Sequence, residues 1–208
     1  MRILITAGPT REHIDPVRFI TNASSGRMGL AVAAAGVAAG HQVTLLHAAG
    51  MDVHALPPQV ERATFVSVAD LKALLHERFG GCDTLVMAAA VGDFQVETYS
   101  PTKIPRRGGL ITVRLIPTED LLAGVAARRH EGQRIVAFAV EDGPRDQIEA
   151  KARGEMRTKG ADYVVINRPE AMAAQASEAC ILSPAGVALP WGHRPKEDLA
   201  AEIVMLLG

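Results

Sequence analysis

Polar and small residues that suit phosphate binding are concentrated in residues 22–29, with the sequence Asn-Ala-Ser-Ser-Gly-Arg-Met-Gly. An apolar stretch that predicts a strand, residues 3–6, lies upstream, and an alanine-rich stretch that predicts a helix begins at Met28. Serine hydroxyls and free N–H groups at a helix N-terminus bind phosphate, and the helix dipole adds about half a positive charge there. Gly26 would let a phosphate approach the backbone closely. The alternative is an ordinary helix capped by one of the two serines.

The spacing of this segment differs from the dinucleotide-binding fingerprint G-x-G-x-x-G, which follows a strand directly and opens the helix. Here residues 9–21 come between strand and helix, and they include Arg11, Glu12, Asp15 and Arg18. This is more polar chemistry than a plain turn needs. The segment therefore favours a site that holds more than a pyrophosphate.

Two further predicted strand ends carry residues that could contact a ligand. Residues 88–94 read Ala-Ala-Ala-Val-Gly-Asp-Phe. Their small side chains would let a ligand lie against the backbone, and Asp93 could bind Mg²⁺ or a base edge; tight packing with a capping aspartate is the alternative. Phe138 ends another apolar stretch, where it could stack on a nucleobase or simply belong to the core.

Two lysines are candidates for neutralising phosphate charge. Lys103 lies in residues 97–109, whose prolines, glycines and cations predict a flap, although a solvated basic loop is the alternative. Lys159 ends a predicted helix and precedes a buried strand, where it could instead complement the helix C-terminus. No G-x-S-x-G motif or serine–histidine–aspartate set is present. The pattern favours substrate activation by a nucleotide, through positioning and electrostatics.

Length, charge and cysteine usage narrow the class of protein. The 208 residues fit one large domain, 1–208, and a net charge of −1 predicts neither nucleic-acid nor membrane-surface binding. No apolar run is as long as a membrane span, and no signal peptide precedes the first strand. Cys82 and Cys180 form no C-x-x-C motif, which is typical of reduced thiols in a cytoplasmic protein. The seven histidines show no metal-ligand spacing.

Strand-like and helix-like segments alternate along the chain. The predicted strands are residues 3–6, 43–46, 64–68, 84–88, 110–115, 134–139 and 163–166, with a hairpin over 178–189. The predicted helices are residues 28–39, 69–79, 120–129, 147–159 and 195–207. This order predicts an α/β fold with a Rossmann-like, doubly wound, mainly parallel sheet, helices on both faces and a small hairpin or flap appendage. Ligands would bind beyond the carboxyl ends of its strands.

Long stretches of this sequence resemble the bacterial phosphopantothenoylcysteine synthetases, or phosphopantothenate–cysteine ligases, of coenzyme A biosynthesis. The opening motif spans residues 5–12, 15–22 and 24–29. The resemblance continues through residues 89–94, 103–104, 118–122, 138–141, 159–162 and Asn167. It covers nearly the whole chain, and the opening motif is far more specific than a lone glycine pattern.

The resemblance implies a two-step ligase that joins 4′-phosphopantothenate to cysteine. In the bacterial type, CTP activates the pantothenate carboxylate as an acyl-cytidylate with release of pyrophosphate, and the cysteine amine then attacks. Mg²⁺ would accompany the triphosphate. Family members are dimers, commonly fused behind a flavin-dependent decarboxylase domain. The sequence leaves open the choice between CTP and ATP, the cysteine-binding residues and the identity of any fused partner.

The resemblance also implies roles for individual residues. Asn22 and Lys103 match catalytic positions, and Asn22 and Ala90 match substrate-binding positions. An amide suits the role of Asn22 because it donates to a carbonyl that gains negative charge. Asp93 is the candidate Mg²⁺ ligand. The positions that match nucleotide-binding residues are Gly8, Ser24, Ser25, Gly26, Met28, Ala88, Ala89, Asp93, Lys103, Glu119, Asp120, Leu121, Leu122, Phe138 and Lys159.

Two departures from the family pattern stand out. Glu155 occupies a position, four residues before Lys159, where the bacterial pattern often has a second lysine. Because an acid there would repel a triphosphate, Arg153 or Arg157 is the candidate replacement, and weak activity is the alternative. Residues 177–180, Ser-Glu-Ala-Cys, lack the usual Ser-Asp-x-Asn pattern, which bears on the dimer or on a domain edge more than on chemistry.

Two other functions compete with the ligase. An NAD(P)-dependent reductase on the same sheet predicts an acidic ribose-binding residue after the second strand, but residues 45–48 read Leu-Leu-His-Ala. No Tyr-x-x-x-Lys pair appears either. A non-catalytic nucleotide-binding module is the second alternative, and Glu155 favours it. Pyrophosphate release that depends on phosphopantothenate would distinguish the enzyme from the module.

Overall fold

The computed structural model describes residues 1–106, 108–172 and 174–208, so Arg107 of the predicted flap lies outside the described residues. The strands are β1 (Arg2–Ala7), β2 (Arg11–His13), β3 (Phe19–Thr21), β4 (Gln42–Ala48), β5 (Glu61–Phe65), β6 (Thr84–Met87), β7 (Phe94–Val96), β8 (Leu115–Pro117), β9 (Arg134–Val140), β10 (Tyr163–Asn167), β11 (Ala176–Ser183) and β12 (Gly186–Pro195). The α-helices are α1 (Arg27–Ala38), α2 (Val68–Arg78), α3 (Leu121–Ala126), α4 (Arg145–Lys159) and α5 (Lys196–Met205). Short 3₁₀ helices span Phe79–Gly81 and Pro169–Met172.

An eight-stranded sheet with the order β12-β11-β10-β9-β6-β1-β4-β5 organises the molecule. Strands β5, β4, β1, β6, β9 and β10 are parallel, and β11 and β12 extend the sheet antiparallel. The chain proceeds from β1 to β4 and β5 on one side, and then returns to β6 on the other. The carboxyl ends of β1 and β6 therefore form a topological switch point, where open α/β sheets bind ligands. The predicted doubly wound, mainly parallel sheet is confirmed.

Both faces of the sheet are covered by helices, as predicted. Successive residues of β1 point to opposite faces, because side chains alternate along a strand. Leu4 belongs to the apolar cluster that also contains Leu75 of α2 and Ile148 of α4. Its neighbour Ile5 belongs to the cluster formed with helices α1 and α5. The near-continuous apolar sequence of the parallel strands follows from this double burial.

Helix α1 packs unusually close to β1. A Cβ atom at Gly29 would lie 2.5 Å from Ala7 Cβ and 3.0 Å from Thr6 O, so a larger residue would push the helix away. Glycine at this position lets the N-terminus of α1 lie directly beside the end of β1. The sequence motif thus positions the helix terminus as well as supplying polar groups.

Several predicted elements need correction. The predicted strand over 110–115 is wrong for most of its length: the strand is Leu115–Pro117, which pairs with Phe94–Val96, while 110–114 form no strand. The alternating apolar residues there lack a neighbouring strand and remain exposed. The predicted loop 9–21 contains the hairpin of β2 and β3. The predicted hairpin over 178–189 exists and extends further, from Ala176–Ser183 to Gly186–Pro195.

Candidate functional site

A cavity of about 560 Å³ lies beyond the carboxyl ends of β6, β9 and β10, against the N-terminus of α1. Its volume falls within the range of about 300–1,000 Å³ that is typical of small-molecule sites. Segments from five parts of the chain form its wall. They are residues 22–28, 87–93, 118–122, 137–138 with Val140, and 171–172, joined by Lys159, Asn167 and Lys196.

The cavity brings together the predicted site residues except Gly8 and Lys103. Those on its wall are Asn22, Ser24, Ser25, Gly26, Met28, Ala88, Ala89, Ala90, Asp93, Glu119, Asp120, Leu121, Leu122, Phe138 and Lys159. Their shared position agrees with one ligand site, whereas their individual roles stay predictions.

The N-terminus of α1 is an uncapped helix end on the cavity wall. Gly26 is its N-cap residue, with φ of 71°, and no side chain caps the helix. The alternative that a serine serves as N-cap is therefore wrong. Ser24 Oγ accepts a bond from the Gly26 N–H (3.3 Å), and Ser25 Oγ donates to Met172 O (3.0 Å). The first turn also carries no acidic residue, so its N–H groups and dipole can act on an anionic ligand.

Gly8 serves packing at the edge of the site and does not line the cavity. Its φ is 88°, and the position of a Cβ at either Gly8 or Gly26 is occupied by the side chain of Met51. The backbone of Gly8 supports the opposite wall, because its carbonyl accepts from the Ala90 N–H (3.0 Å). That Gly8 contacts the nucleotide stays a prediction, since the structure places Gly8 beside the cavity and not on its wall.

Asn22 joins the hairpin of β2 and β3 to the segment that follows β6. Its Nδ2 donates to Val91 O at 3.0 Å and lies 3.3 Å from Ala90 O. Thr10 Oγ1 accepts from the Gly92 N–H at 2.9 Å and holds the same segment. These contacts set the orientation of the Asn22 amide on the cavity wall.

The acidic residues of the site lie after β6 and before α3. Asp93 O accepts from the Thr118 N–H at 2.9 Å, which brings the two segments together. Asp120 Oδ1 accepts from the Ala123 N–H (3.0 Å) and caps α3. Glu119 forms an ion pair with Lys72. Within the described ranges, no group of three or more His, Cys, Asp and Glu residues could hold a metal ion by itself.

Lys159 lies on the cavity wall with two carboxylates beside it. Its Nζ is 3.3 Å from Asp120 Oδ2 and 3.8 Å from Glu155 Oε2. Glu155 thus offsets the charge of Lys159. Neither proposed replacement lies on the wall: Arg153 pairs with Glu149 at 3.6 Å, and Arg157 is likewise absent from the lining. That either arginine substitutes for a second lysine stays a prediction, which the position of both residues off the wall does not favour.

Lys103 lies outside the cavity, so the predicted flap lysine does not reach the site here. The neighbouring Ile104 is tied to the buried carboxylate of Asp15, which accepts its N–H at 3.1 Å. Arg18 donates to the same carboxylate and, through Nη2, to Ile104 O at 2.7 Å. The bond from Arg18 is the main cause that holds the pKa of Asp15 well below its usual value; burial opposes it, and backbone N–H groups add to it.

A family model described as "DNA/pantothenate metabolism flavoprotein C-terminal domain", abbreviated DFP, matches residues 1–207. The chain belongs to the DFP family. This DFP chain is 40% identical over 172 residues to a cysteine/cysteine sulfinic acid decarboxylase from an unknown prokaryotic organism, covering 80% of the chain and 45% of the relative. It is 37% identical over 216 residues to the coenzyme A biosynthesis bifunctional protein CoaBC of Mycobacterium bovis, covering 98% of the chain and 51% of the relative. The DFP chain therefore spans about half the length of these curated relatives.

A solved structure of the C-terminal domain of a CoaBC protein is 28% identical to the DFP chain, with a TM-score of 0.79. The match covers 99% of this chain and 93% of that one. The fold is therefore shared over nearly the whole of both chains. In the described part of the DFP chain, no helix is both long and apolar enough to cross a membrane. Cys82 and Cys180 are buried and free, as expected.

Sequence analysis assigned no site role to two buried polar residues of the DFP site, although Asn167 was among the residues of the family resemblance. Lys196, the first residue of α5, is 5% exposed, and its Nζ donates to Ala171 O at 2.7 Å. Burial lowers the pKa of Lys196, and nearby Arg27 lowers it further. Asn167 is 8% exposed, and its Oδ1 has no hydrogen-bond partner among the described residues. Lys196 follows a proline at the start of an amphipathic helix, a pattern that indicates a solvated position, so only the tertiary structure shows its burial.

Proposed function

We propose that this DFP-family chain joins 4′-phosphopantothenate to cysteine, using CTP to form an acyl-cytidylate with release of pyrophosphate. The observation that carries the proposal is the cavity itself. It joins an uncapped helix N-terminus, the fixed amide of Asn22 and the ring of Phe138 in one site. The relatives named as bifunctional proteins of coenzyme A biosynthesis support the same reaction. The proposal treats residues 1–208 as one ligase domain.

The geometry supports a division of the cavity into phosphate and base regions. The first turn of α1, with Ser24 and Ser25, would bind phosphoryl oxygens. Phe138 would stack on the base. Asn167 lies opposite Val140 in the register of β9 and β10, and its unpartnered Oδ1 would accept from an exocyclic amine. Cytosine and adenine carry such an amine, so this contact favours CTP or ATP over UTP.

The reaction needs positioning and charge stabilisation. A pantothenate carboxylate oxygen would attack the α-phosphorus of CTP, forming a mixed anhydride and expelling pyrophosphate. The cysteine amine would then attack the acyl carbon and form the amide, with CMP leaving. Asn22 would lie at the acyl group, as the family resemblance implies. Asn22 and the residues of the phosphate and base regions would hold the reactants in contact and offset the developing charge.

Magnesium fits this site as a companion of the triphosphate. Mg²⁺ commonly takes only one or two protein carboxylates and completes its coordination with phosphate oxygens and water. Asp93 on the wall supplies such a carboxylate. The ion would neutralise phosphate charge there.

We further propose that the chain forms a homodimer through its appendage, defined as residues 11–21 and 94–117. The described residues of the appendage include several large apolar side chains that are exposed, and exposed apolar patches mark interaction sites. Its exposed apolar residues are Val17, Phe19, Phe94, Tyr99, Leu110, Ile111, Val113, Leu115 and Ile116. A second copy would cover this surface.

A phosphopantothenoylcysteine decarboxylase, fused or separate, would act on the product of the ligase. We place the reaction in the cytoplasm, because the two buried cysteines are free and free thiols fit a reducing compartment.

A non-catalytic nucleotide-binding module remains the second candidate. Its specific support is the contact of Glu155 with Lys159, which removes positive charge from the wall. An NAD(P)-dependent reductase has less support. Strand β4 ends at Ala48, and His47 before it is buried against Thr64, with 3.2 Å between Nε2 and Oγ1. No acidic ribose-binding residue stands there.

The decisive experiment measures pyrophosphate release from CTP, ATP, GTP and UTP in the presence of Mg²⁺ and 4′-phosphopantothenate. Cysteine is first omitted and then added, and pantothenate without its phosphate is the control. The ligase predicts release with CTP that depends on phosphopantothenate and multiplies on adding cysteine. Nucleotide binding without release under any condition would support the binding module and contradict the ligase.

A further inference from the structure

Lys196 is a buried cation on the wall of the cavity for which the catalytic proposal above has no use. Lys196 is only 5% exposed. It lies where α1, α5 and the 3₁₀ helix Pro169–Met172 meet. The Lys196 backbone N–H donates to Gln175 O at 3.1 Å, and Nζ donates to Ala171 O at 2.7 Å. An ammonium group has three donors, so this bond leaves donors for a ligand.

The charges of the wall are unevenly distributed. The lining carboxylates, Asp93, Glu119 and Asp120, all lie between β6 and α3. Lys159 lies at the same end and pairs with Asp120. Lys196 lies at the other end, beside Arg27 and the uncapped N-terminus of α1.

This second end, which we call the cationic end, consists of Arg27, Lys196 and the first turn of α1. Arg27 acts on Lys196 as a like charge, and Glu197 only partly offsets the repulsion. A buried ammonium is stabilised by pairing with an anion, and an anionic ligand in the cavity would supply one. A second observation points to a ligand in the same cavity, because Asn167 Oδ1 is buried without a partner among the described residues.

We propose that Lys196 is a further substrate-binding residue, whose ammonium binds phosphoryl oxygens at the cationic end of the cavity. The inference rests on the proposed function for its two candidate sources of phosphoryl groups, the triphosphate of CTP and the phosphate of 4′-phosphopantothenate. A lysine acts on phosphate as a compact point charge, so its binding needs no fixed planar geometry. Substrate binding would relieve the repulsion from Arg27.

A purely structural role is the competing explanation. Lys196 Nζ would then serve only to satisfy the carbonyl of Ala171 at the end of the 3₁₀ helix. Two variants separate the roles. Lys196→Gln removes the charge but keeps a donor, whereas Lys196→Met removes both. Lys151→Met is the matched control, since Lys151 is an exposed lysine that pairs with Glu141 away from the cavity wall.

The experiment measures dissociation constants by calorimetry for CTP, cytidine, 4′-phosphopantothenate and pantothenate, with melting temperatures recorded for every variant. We expect both Lys196 variants to lose about tenfold or more in affinity for one phosphorylated ligand, as for a lost hydrogen bond to a charged group. Affinity for its unphosphorylated counterpart should stay within about twofold, and Lys151→Met should bind as the unmodified chain does. If the affinity for CTP falls, Lys196 binds the triphosphate. If the affinity for 4′-phosphopantothenate falls, Lys196 binds the phosphate of that substrate.

Other outcomes overturn the inference. Equal affinity of Lys196→Gln and the unmodified chain for both phosphorylated ligands would exclude phosphoryl binding by Lys196. Equal losses for cytidine and CTP would show a structural role, as would failure of both variants to fold. The ligase proposal fails separately, if the unmodified chain binds CTP but never releases pyrophosphate.

Discussion

The parallel sheet and the appendage bury their apolar residues to very different extents. Leu85 of β6 is fully buried between helices, whereas Phe94 of β7 is 52% exposed and Leu110 is wholly exposed. The sheet borders the cavity through its strand ends, whereas the appendage only adjoins it, because the wall residues Asn22 and Asp93 stand next to the ends of its two segments. The sheet thus supplies a preformed part of the site. The appendage holds site residues next to the ends of its segments, but its own apolar side chains stay exposed in a single chain.

The two regions also differ in how they are held. The sheet is stabilised by apolar burial on both faces. The appendage depends on polar contacts. Glu12 Oε1 accepts the Val68 N–H at 2.8 Å and attaches the appendage to α2, and Asp15 accepts the Ile104 N–H at 3.1 Å and joins its two segments. Substitutions in the sheet should therefore change global stability, and substitutions in the appendage should change association and local order.

The largest expected effect is on stability, from Leu85→Ala in the sheet. Removing a fully buried leucine leaves a cavity, so the free energy of unfolding should fall by about 2–5 kcal/mol. Ile111→Ala in the appendage, 54% exposed, should change the stability of the monomer by less than about 0.5 kcal/mol. Urea denaturation at low protein concentration checks both. Similar losses for the two variants would contradict the contrast between the regions.

The next effect is on catalysis, from Asn22→Asp where the appendage meets the sheet. Pyrophosphate release should continue, while amide formation should slow by about a hundredfold, as for the loss of one transition-state donor. The added negative charge would face Ala90 O and Val91 O in place of the Nδ2 donor. Rapid-quench assays of the two half-reactions measure this. If both proceed at the unmodified rate, the role assigned to Asn22 is wrong.

A smaller effect is expected from Lys103→Gln in the flap segment 97–109. If this segment closes over the substrates, the first half-reaction should slow by about tenfold, because a cation beside the triphosphate is lost. Lys151→Gln serves as a control for loss of an exposed lysine. The rate of pyrophosphate release without cysteine is the measurement. An unchanged rate would mean that Lys103 belongs to a solvated loop.

Association should respond to Ile111→Ser. Placing a hydroxyl where a second copy would bury an isoleucine should weaken the dimer by about tenfold, through loss of roughly 1–2 kcal/mol of apolar burial. Val187→Ser is the matched control, because Val187 is a similarly exposed apolar residue of β12, outside the appendage. Sedimentation velocity across a concentration series is the test. A monomer at every concentration, with or without the substitution, would refute the proposed dimer.

The smallest effect concerns local order and pH. The pKa of Asp15 is lowered by folding, so its contribution is present above its unfolded value of 3.8 and declines as pH falls below it. Hydrogen-exchange protection of the Ile104 amide, corrected for intrinsic rates, should therefore fall between about pH 5 and about pH 2.5. In Asp15→Asn, protection should be low already at about pH 5. Equal protection in both proteins would show that Asp15 does not hold this segment.

Much of the sheet could be predicted from the sequence because its signals are local. Apolar strands such as 134–139 are bounded by polar or glycine-containing turns, and Ser67 with Asp70 forms a capping box that starts α2. The structure of the appendage was harder to predict from the sequence. The alternation over 110–115 is typical of a strand, but a strand also needs a partner, and only 115–117 meet β7. Apolar side chains at alternate positions show that one face of the segment is apolar, but they do not show which part of the chain covers that face.

The sequence by itself determined the fold class, the family resemblance and most residues of the cavity wall, because strand ends of a parallel sheet meet at one edge and local motifs mark them. Tertiary structure alone decided the charges of the site. It paired Lys159 with Asp120 and Glu155, kept Arg153, Arg157 and Lys103 off the wall, and buried Lys196 beside Arg27. Burial and pairing depend on segments far apart in the chain, and a residue's type carries no record of which of them will surround it.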